Sequence, residues 1–239
     1  MYKNTLPLRY PFFYKKLADS YRRILYENFR FYNHLSNRGR KLFDHRVVQF
    51  MRHHEFVGHE GLVVTDKMKI LISGTGIMLS FGFSEYLYAL FKTIIIYPEN
   101  YYSNQTHTQN KGEANPKFGV VVFSWEDFKA GLAIEDDNIH LGIHEFCHAL
   151  HFTFKYKRSI EGEEFIENYQ HLLTYLEDKS VQRKILDSGY IRDYAFENQY
   201  EFLAVLLEHL FETPADFQKT LPIIYRLLLK LMKLEKAVL

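Results

Sequence analysis

The pentapeptide His144-Glu145-Phe146-Cys147-His148 contains two histidines four residues apart, with a glutamate directly after the first. On an α-helix, residues four apart differ by about 40° in direction and about 6 Å in height, so both imidazoles would project from one face. Glu145 would lie about 100° further round, beside an ion held by the imidazoles rather than on it. This arrangement is typical of a zinc hydrolase, in which the glutamate takes a proton from an attacking water.

The residues around this motif predict a helix. Asp136-Asp137-Asn138 offers candidates for its N-cap, and an apolar side follows at Ile139, Ile143, Phe146, Cys147 and Leu150. Cys147 points away from the histidines and is predicted to be a core side chain. Because the chain contains 12 histidines, the alternative interpretation is a packed helix whose two histidines are simply hydrogen-bonded.

Composition narrows the class of protein. The chain has 239 residues, of which 47% are hydrophobic and 17% aromatic, enough for a substantial core. A formal net charge of +1 argues against nucleic acid as a partner. The chain does not open on a signal-peptide pattern, and its apolar runs are too short to span a membrane. We therefore expect a cytoplasmic protein, and its single cysteine excludes an internal disulfide.

Apolar periodicity predicts the elements that must position the motif. Helices are expected over 14–33, after a break at 36–39, from Asp66, over 163–178, over 198–211, and from Pro214 and Pro222. Strands are expected at 93–97 and 118–124, a short strand or an extended lead-in to the next helix at 61–64, and a mobile polar loop at 99–116 near the cleft. The 118–124 strand precedes the motif helix, so it is a candidate for the sheet edge that holds an extended peptide. Simple core packing explains that strand equally well.

A second histidine cluster is similar to the motif but has a different spacing. It is His53-His54-Glu55-Phe56-Val57-Gly58-His59, in which a glutamate follows His54 and the next histidine is five residues after His54. Residues five apart on a helix differ by about 140° in direction, so His54 and His59 would point away from each other. Gly58 also weakens a helix at that point. We therefore predict that this cluster lies at the surface and is not a metal site.

A catalytic zinc takes three protein ligands and leaves a fourth position for water, so one ligand must come from another element. Glu201 and Glu208 lie seven residues apart on the predicted 198–211 helix, within about 20° of one face. Apolar neighbours indicate that this helix is half-buried, and a carboxylate there needs a partner, which either zinc or solvent can supply. Spacing alone does not choose between the two glutamates.

Two segments together carry a resemblance to a known family. The motif at 144–148, with Glu201-Phe-Leu-Ala-Val-Leu-Leu-Glu-His-Leu-Phe211, resembles the Mlc titration factor A family of bacterial zinc peptidases. That family is structurally akin to the catalytic domain of anthrax lethal factor. The resemblance covers most of residues 40–235.

The resemblance implies roles for individual residues. Glu201 becomes the third ligand, Tyr194 steadies the tetrahedral intermediate, and Glu208 orients a ligand histidine through its free N–H. The chain departs from the family at Leu207, where a serine is usual, and at His151, where an aspartate is usual. Three roles stay open for His151: lining the cleft, orienting a ligand, or binding a surplus inhibitory metal.

We expect an α+β fold that is mostly helical and zincin-like, of the gluzincin type, with a small mixed sheet packed on the motif helix. A single domain, 1–239, would comprise an N-terminal helical segment (1–60), a lobe with the sheet and the motif helix (61–155), and a helical lobe that supplies the third ligand (156–239).

The expected function is hydrolysis of a peptide or protein substrate. One zinc ion per chain would be held by His144, His148 and Glu201, with Glu145 and Tyr194 as the catalytic side chains. The resemblance suggests aminopeptidase activity. It also implies a competing class, a regulatory protein that binds and sequesters a transcriptional repressor and has a weakly active or vestigial zinc site.

Overall fold

Helices make up most of the computed structural model, which describes residues 11, 13–103, 107–134 and 136–235. In chain order they are α1 (Asp19–Asn28), α2 (Arg30–His34), α3 (Asn37–His53), α4 (Asp66–Leu79), α5 (Trp125–Ala133), α6 (Leu141–Tyr156), α7 (Ile160–Leu176), α8 (Lys179–Ser188), α9 (Gln199–Glu212), α10 (Pro214–Thr220) and α11 (Pro222–Leu231). A 3₁₀-helix over Asp193–Glu197 leads into α9. The strands are β1 (Glu55–Gly58), β2 (Thr93–Tyr97), β3 (Tyr101–Ser103), β4 (Thr108–Asn110), β5 (Gly112–Asn115) and β6 (Val120–Ser124).

A small mixed sheet has the strand order β1-β2-β6-β5. β1, β2 and β6 are parallel, and β5 is antiparallel to β6. β-Branched residues dominate the two central strands, where Ile94 and Val121 are fully buried. β3 and β4 pair separately as a short antiparallel hairpin. The α+β class, mostly helical with a small mixed sheet, is therefore confirmed.

The motif helix α6 joins the sheet to the helical part of the molecule. It packs on β5 and β6, and it also contacts α4, α7 and α9. The ring of Phe146 lies 5.4 Å from the ring of Phe123 on β6, between the ring centroids. The side of α6 that carries Phe146 is thus anchored in the core, which fixes the direction of the histidine side.

The start of α6 differs from the prediction. Its N-cap is His140, whose Nδ1 accepts a hydrogen bond from the backbone N–H of Ile143 at 3.3 Å. The predicted cap residues 136–138 lie in the preceding loop, and Ile139, predicted to join the apolar side, is 57% exposed. The other residues predicted for that side are buried, namely Ile143, Phe146, Cys147 and Leu150.

The helix predicted over 14–33 is interrupted at Phe29. This residue adopts an extended conformation between α1 and α2 and is buried. Its ring lies against Gly74 of α4, where an added Cβ would be 2.7 Å from the ring. Packing of one aromatic side chain into a space left by glycine thus outweighs the helical periodicity of the segment.

Of the two interpretations of residues 61–64, the strand is wrong and the lead-in agrees with the structure, since these residues connect β1 to α4. The first strand is β1, inside the second histidine cluster. β1 pairs with β2 in parallel. Gly61, with a φ of 79°, then turns the chain toward α4. His54 is 5% exposed and stacks on Phe50 at 3.9 Å between ring centroids. The surface prediction is therefore wrong for His54, while His53 and His59 are exposed.

The segment 99–116 was predicted to be a mobile loop and instead carries β3, β4 and β5; its residues 104–106 lie outside the described part. β5 forms the edge of the main sheet, with Gly112–Asn115 paired to residues of β6. Of the two interpretations of 118–124, the sheet edge is therefore wrong, and core packing agrees with the central position of β6. The sequence of β5 is polar and therefore did not indicate a strand. Its residues 112–114 line the cleft, so they do not show the apolar pattern of a core strand.

Buried apolar side chains form one contiguous cluster that extends from Leu17 to Leu234. The predicted single domain, with its division into segments 1–60, 61–155 and 156–239, stays a prediction. Among the helices of the described residues, none is both long and apolar enough to cross a lipid bilayer.

Candidate metal centre

His144 and His148 project from one face of α6 toward α9, as their four-residue spacing predicts. Their Nε2 atoms lie 3.1 Å apart, and the two rings are inclined at 80°. The His144 side chain is 11% exposed and the His148 side chain 15% exposed. Two imidazole nitrogens therefore meet at the wall of a cleft, partly shielded from water.

Glu201 reaches the same point from α9. The side chain of Asn198 caps this helix by accepting hydrogen bonds from the backbone N–H groups of Tyr200 and Glu201 at 2.9 and 3.1 Å. This cap fixes the first turn, which carries Glu201. Its Oε2 lies 2.8 Å from Nε2 of His144, and its Oε1 lies 3.4 Å from Nε2 of His148.

These three side chains fit a divalent cation. Each offers one ligand atom within 4.8 Å of the other two, and among the described residues this is the one such group of three or more. Oε2 of Glu201 is buried without a hydrogen-bond partner in the described chain, although Nε2 of His144 is 2.8 Å away. A cation held by these three side chains would give that buried oxygen a partner. Two imidazole nitrogens and one carboxylate oxygen are a donor set of catalytic zinc sites.

The pKa shifts of His144 and Glu201 also agree with a cation-binding site. Burial lowers the pKa of His144, but contacts with Glu201 and then Glu208 outweigh it and raise that pKa to about 10. Burial raises the pKa of Glu201, and His144 and His148 outweigh burial, so its pKa falls well below the ordinary value. The carboxylates thus stabilise positive charge among the imidazoles, which either protons or a cation can supply.

Glu208 lies behind His144. Its Oε1 accepts a hydrogen bond from Nδ1 of His144 at 2.8 Å, and its Oε2 accepts one from the backbone N–H of His140 at 3.1 Å. The side chain is 1% exposed. A carboxylate at Nδ1 keeps the proton on that nitrogen and leaves Nε2 free to bind a metal.

Arg192 is a candidate that the sequence analysis missed. Its Nη1 and Nη2 donate to Oε2 and Oε1 of Glu208 at 2.8 and 2.9 Å, and Nη1 also donates to the backbone carbonyl of Asn138. The guanidinium carbon lies 5.8 Å from the ring centroid of Tyr194. Arg192 stands in an irregular segment without periodicity. The one available signal was that a buried glutamate at position 208 requires a counter-charge.

Glu145 lies beside the three ligands and is 6% exposed. Burial raises its pKa, and His148 and His144 oppose that rise. The edge strand β5 comes so close that a Cβ added to Gly112 would be 2.7 Å from Cγ of Glu145 and 2.8 Å from its Oε1. Gly112 therefore makes room for the carboxylate that is predicted to act as the base.

Tyr194 and His151 have different surroundings. Tyr194 is 43% exposed at the cleft, and its ring centroid lies 5.8 Å from that of His144. His151 is 4% exposed, and its ring lies 5.0 Å from the rings of both Tyr169 and Tyr200. Its Nδ1 has no hydrogen-bond partner in the described chain. His151 thus packs among aromatic rings, apart from the three ligands.

The cleft in front of the candidate metal centre has a volume of about 750 Å³. Its lining includes residues 109–114, which run from β4 to β5, together with Tyr194 and Tyr200. His144, Glu145, His148 and Glu201 line it as well. In the described residues β5 is the last strand of its sheet, and the outer edge of such a strand can bind an extended chain through backbone hydrogen bonds.

Glu212 lies one helical turn beyond Glu208 on α9 and is 9% exposed. Neither of its carboxylate oxygens has a hydrogen-bond partner among the described residues. Burial is the main cause that raises the pKa of Glu212 to about 8, and the charges of Asp137 and Glu208 add to it. A second buried acid next to Glu208 thus stays protonated near neutral pH.

The raised pKa of Glu212 predicts a loss of stability at high pH. An unfolded glutamate releases its proton near pH 4.3, whereas the folded protein keeps it up to about pH 8. The free energy of unfolding should therefore fall as the pH rises between these values. Glu212→Gln should change stability little near pH 5 and raise it by on the order of 3 kcal/mol near pH 9. Urea denaturation at both pH values measures this, with the exposed Glu163→Gln as control, and an equal effect at both would refute it.

Comparisons with known proteins agree with this geometry. A family model described as glucose-regulated metallo-peptidase M90 matches residues 10–233. An uncharacterised protein of Synechocystis sp. (strain ATCC 27184 / PCC 6803 / Kazusa) is 24% identical over 245 residues, which cover 93% of this chain and 86% of that protein. The matched family is the one that the sequence resembles, so the resemblance is confirmed. Because the match spans nearly the whole chain, the protein belongs to the glucose-regulated metallo-peptidase family M90.

Proposed function

We propose that this protein is a zinc-dependent peptidase of the gluzincin type, with aminopeptidase-like activity. His144, His148 and Glu201 are the metal ligands, and Glu145 is the general base. The observation that carries the proposal is the buried carboxylate of Glu145 beside a complete three-ligand donor set. A purely structural metal site needs no base, whereas a hydrolase does. Membership of a metallopeptidase family supports the reaction class.

The chemistry follows from the position of these groups. A zinc ion at this centre would polarise the scissile carbonyl and make a bound water more acidic. Glu145 takes a proton from the attacking water and later delivers it to the leaving amine. Burial raises the pKa of Glu145 and so makes its carboxylate a stronger base than an exposed glutamate.

The substrate binds as an extended chain beside β5. The strand is at the sheet edge and borders the cleft, so its backbone N–H and C=O groups are suited to hydrogen bonds with a peptide backbone. Such contacts are largely independent of side-chain identity. The absence of a side chain at Gly112 lets β5 approach Glu145 closely, which keeps the proposed base beside the strand that binds the peptide.

Tyr194 donates a hydrogen bond to the developing oxyanion. Its hydroxyl is held at the cleft by a ring that lies 5.8 Å from the His144 ring. Tyr194→Phe keeps the ring and removes only the hydroxyl. We expect kcat to fall by about 10²- to 10³-fold with KM nearly unchanged, because the contact strengthens in the transition state. Steady-state kinetics on a peptide reporter checks this, with Tyr156→Phe, an exposed tyrosine at the end of α6, as control; an unchanged kcat would exclude the role.

A panel of reporters tests the proposed activity. The purified chain is given aminoacyl and N-blocked peptide substrates before chelation, after removal of metal, and after zinc is added back. We expect hydrolysis that disappears with the metal and returns with zinc, and faster cleavage of substrates with a free α-amino group. Equal cleavage of blocked substrates would exclude the aminopeptidase preference while leaving the peptidase assignment intact.

Binding of a transcriptional repressor stays a prediction of the family resemblance. Such binding would survive Glu145→Gln, because that change removes the base without altering the molecular surface elsewhere. Loss of hydrolysis with retained partner binding would therefore separate the two functions.

A further inference from the structure

The ion pair between Arg192 and Glu208 stands directly behind the candidate metal centre. Two guanidinium nitrogens donate to the two carboxylate oxygens at 2.8 and 2.9 Å, a two-point contact that fixes the plane of the carboxylate. The same two oxygens also accept from Nδ1 of His144 and from the backbone N–H of His140. Each oxygen thus receives two hydrogen bonds, and rotation of the carboxylate would break all four.

Arg192 is itself held in place from two sides. One nitrogen donates to the carbonyl of Asn138, in the loop that enters α6, and its guanidinium lies against the Tyr194 ring. The Arg192 side chain is 28% exposed, whereas the Glu208 side chain is 1% exposed. Arg192 therefore supplies positive charge at the edge of the site to a carboxylate that is buried and costly to leave uncompensated.

We propose that Arg192 is a positioning residue for the metal centre, which fixes the His144 imidazole by holding Glu208 in one orientation. This inference rests on the proposed function for the identity of the metal. Without the two-point contact, Glu208 can turn away from Nδ1 of His144, and the ring then loses the partner that directs Nε2 toward the ion. Arg192 acts through Glu208 and touches none of the three ligands. The competing role is a purely structural one, in which Arg192 only ties α9 to the loop before α6.

Zinc affinity separates these roles. The full chain and its variants are freed of metal, and zinc binding is measured by competition with a chromogenic chelator. Arg192→Met keeps an unbranched side chain without its charge. Arg192→Lys keeps the charge but has no second nitrogen for the two-point contact. Arg183→Met, at an exposed arginine of α8, is the matched control. We expect affinity to fall about 10- to 100-fold for Arg192→Met, less for Arg192→Lys, and not at all for the control.

A double-mutant cycle with Glu208→Ala tests the path of the effect. If Arg192 acts through Glu208, the double variant should bind zinc within about 2-fold of Glu208→Ala alone, because no carboxylate is left for Arg192 to position. Losses that multiply would overturn the proposal in favour of the structural role, and so would wild-type affinity in Arg192→Met. If Arg192→Met does not fold, as judged by circular dichroism, Arg192→Lys completes the cycle with the same criterion. A wild-type chain that binds no zinc would contradict the proposed function as well, whereas zinc binding unaffected by position 192 contradicts this inference alone.

Discussion

Glu145→Gln is expected to lower kcat for peptide hydrolysis by about 10²- to 10⁴-fold and to leave zinc binding unchanged. Glutamine has nearly the same shape as glutamate but cannot take a proton from water. The three ligands His144, His148 and Glu201 are untouched by the change, so the donor set stays complete. Steady-state kinetics with a peptide reporter and elemental analysis of the same preparation measure both halves of the prediction.

The control for this variant is Glu163→Gln, an exposed glutamate of α7. It makes the same chemical change far from the cleft and should keep both activity and zinc. Because burial raises the pKa of Glu145, replacement by a neutral side chain should not destabilise the fold. Full activity in Glu145→Gln would refute the assigned base.

Glu201→Ala is expected to cause the largest loss of zinc among single changes on α9. It removes one of three ligands, and the two imidazoles that remain form an incomplete site. Glu208→Ala removes the partner of His144 rather than a ligand, so its loss should be smaller, about 10- to 100-fold in affinity. Chelator competition on both variants gives the order directly.

Glu197→Ala is the matched control for this pair, since Glu197 is exposed in the 3₁₀-helix just before α9. It should bind zinc as the wild type does. A greater loss in Glu208→Ala than in Glu201→Ala would show that the ligand assignment is reversed.

The parts of the site that lie on regular helices could be predicted from the sequence. His144 and His148 share a face because helical geometry fixes the direction of residues four apart. Glu201 and Glu208 were both identified as candidates because carboxylates stood out on an apolar helix. The residue pattern did not choose between them; the family resemblance did, and the structure brings Glu201 to both histidines.

The parts that depend on distant strands and irregular segments could not be predicted. β5 has a polar sequence, and only its pairing with β6 makes it a strand. Gly112 gains its role from the approach of that strand to Glu145, a contact across many residues of chain. Arg192 stands outside any periodic element, and its partner Glu208 follows 16 residues later.

His54 illustrates a further limit of sequence patterns. The comparison with His59 assumed one helix through both residues, whereas α3 ends at His53 and β1 begins at Glu55, so the inference about the position of His54 had no basis. Stacking on Phe50 buries the ring instead. Nδ1 of His54 also lies 2.9 Å from the backbone carbonyl oxygen of Phe50, so stacking and a local hydrogen bond account for this buried histidine.

Zinc titration into the metal-free protein tests the central claim most directly. Hydrolysis of a peptide reporter and bound zinc are measured together at each step of the titration. The proposed site at His144, His148 and Glu201 predicts that activity rises in proportion to bound zinc and reaches its maximum at one ion per chain. Full hydrolysis by the metal-free protein, or activity that does not follow the first bound ion, would contradict it.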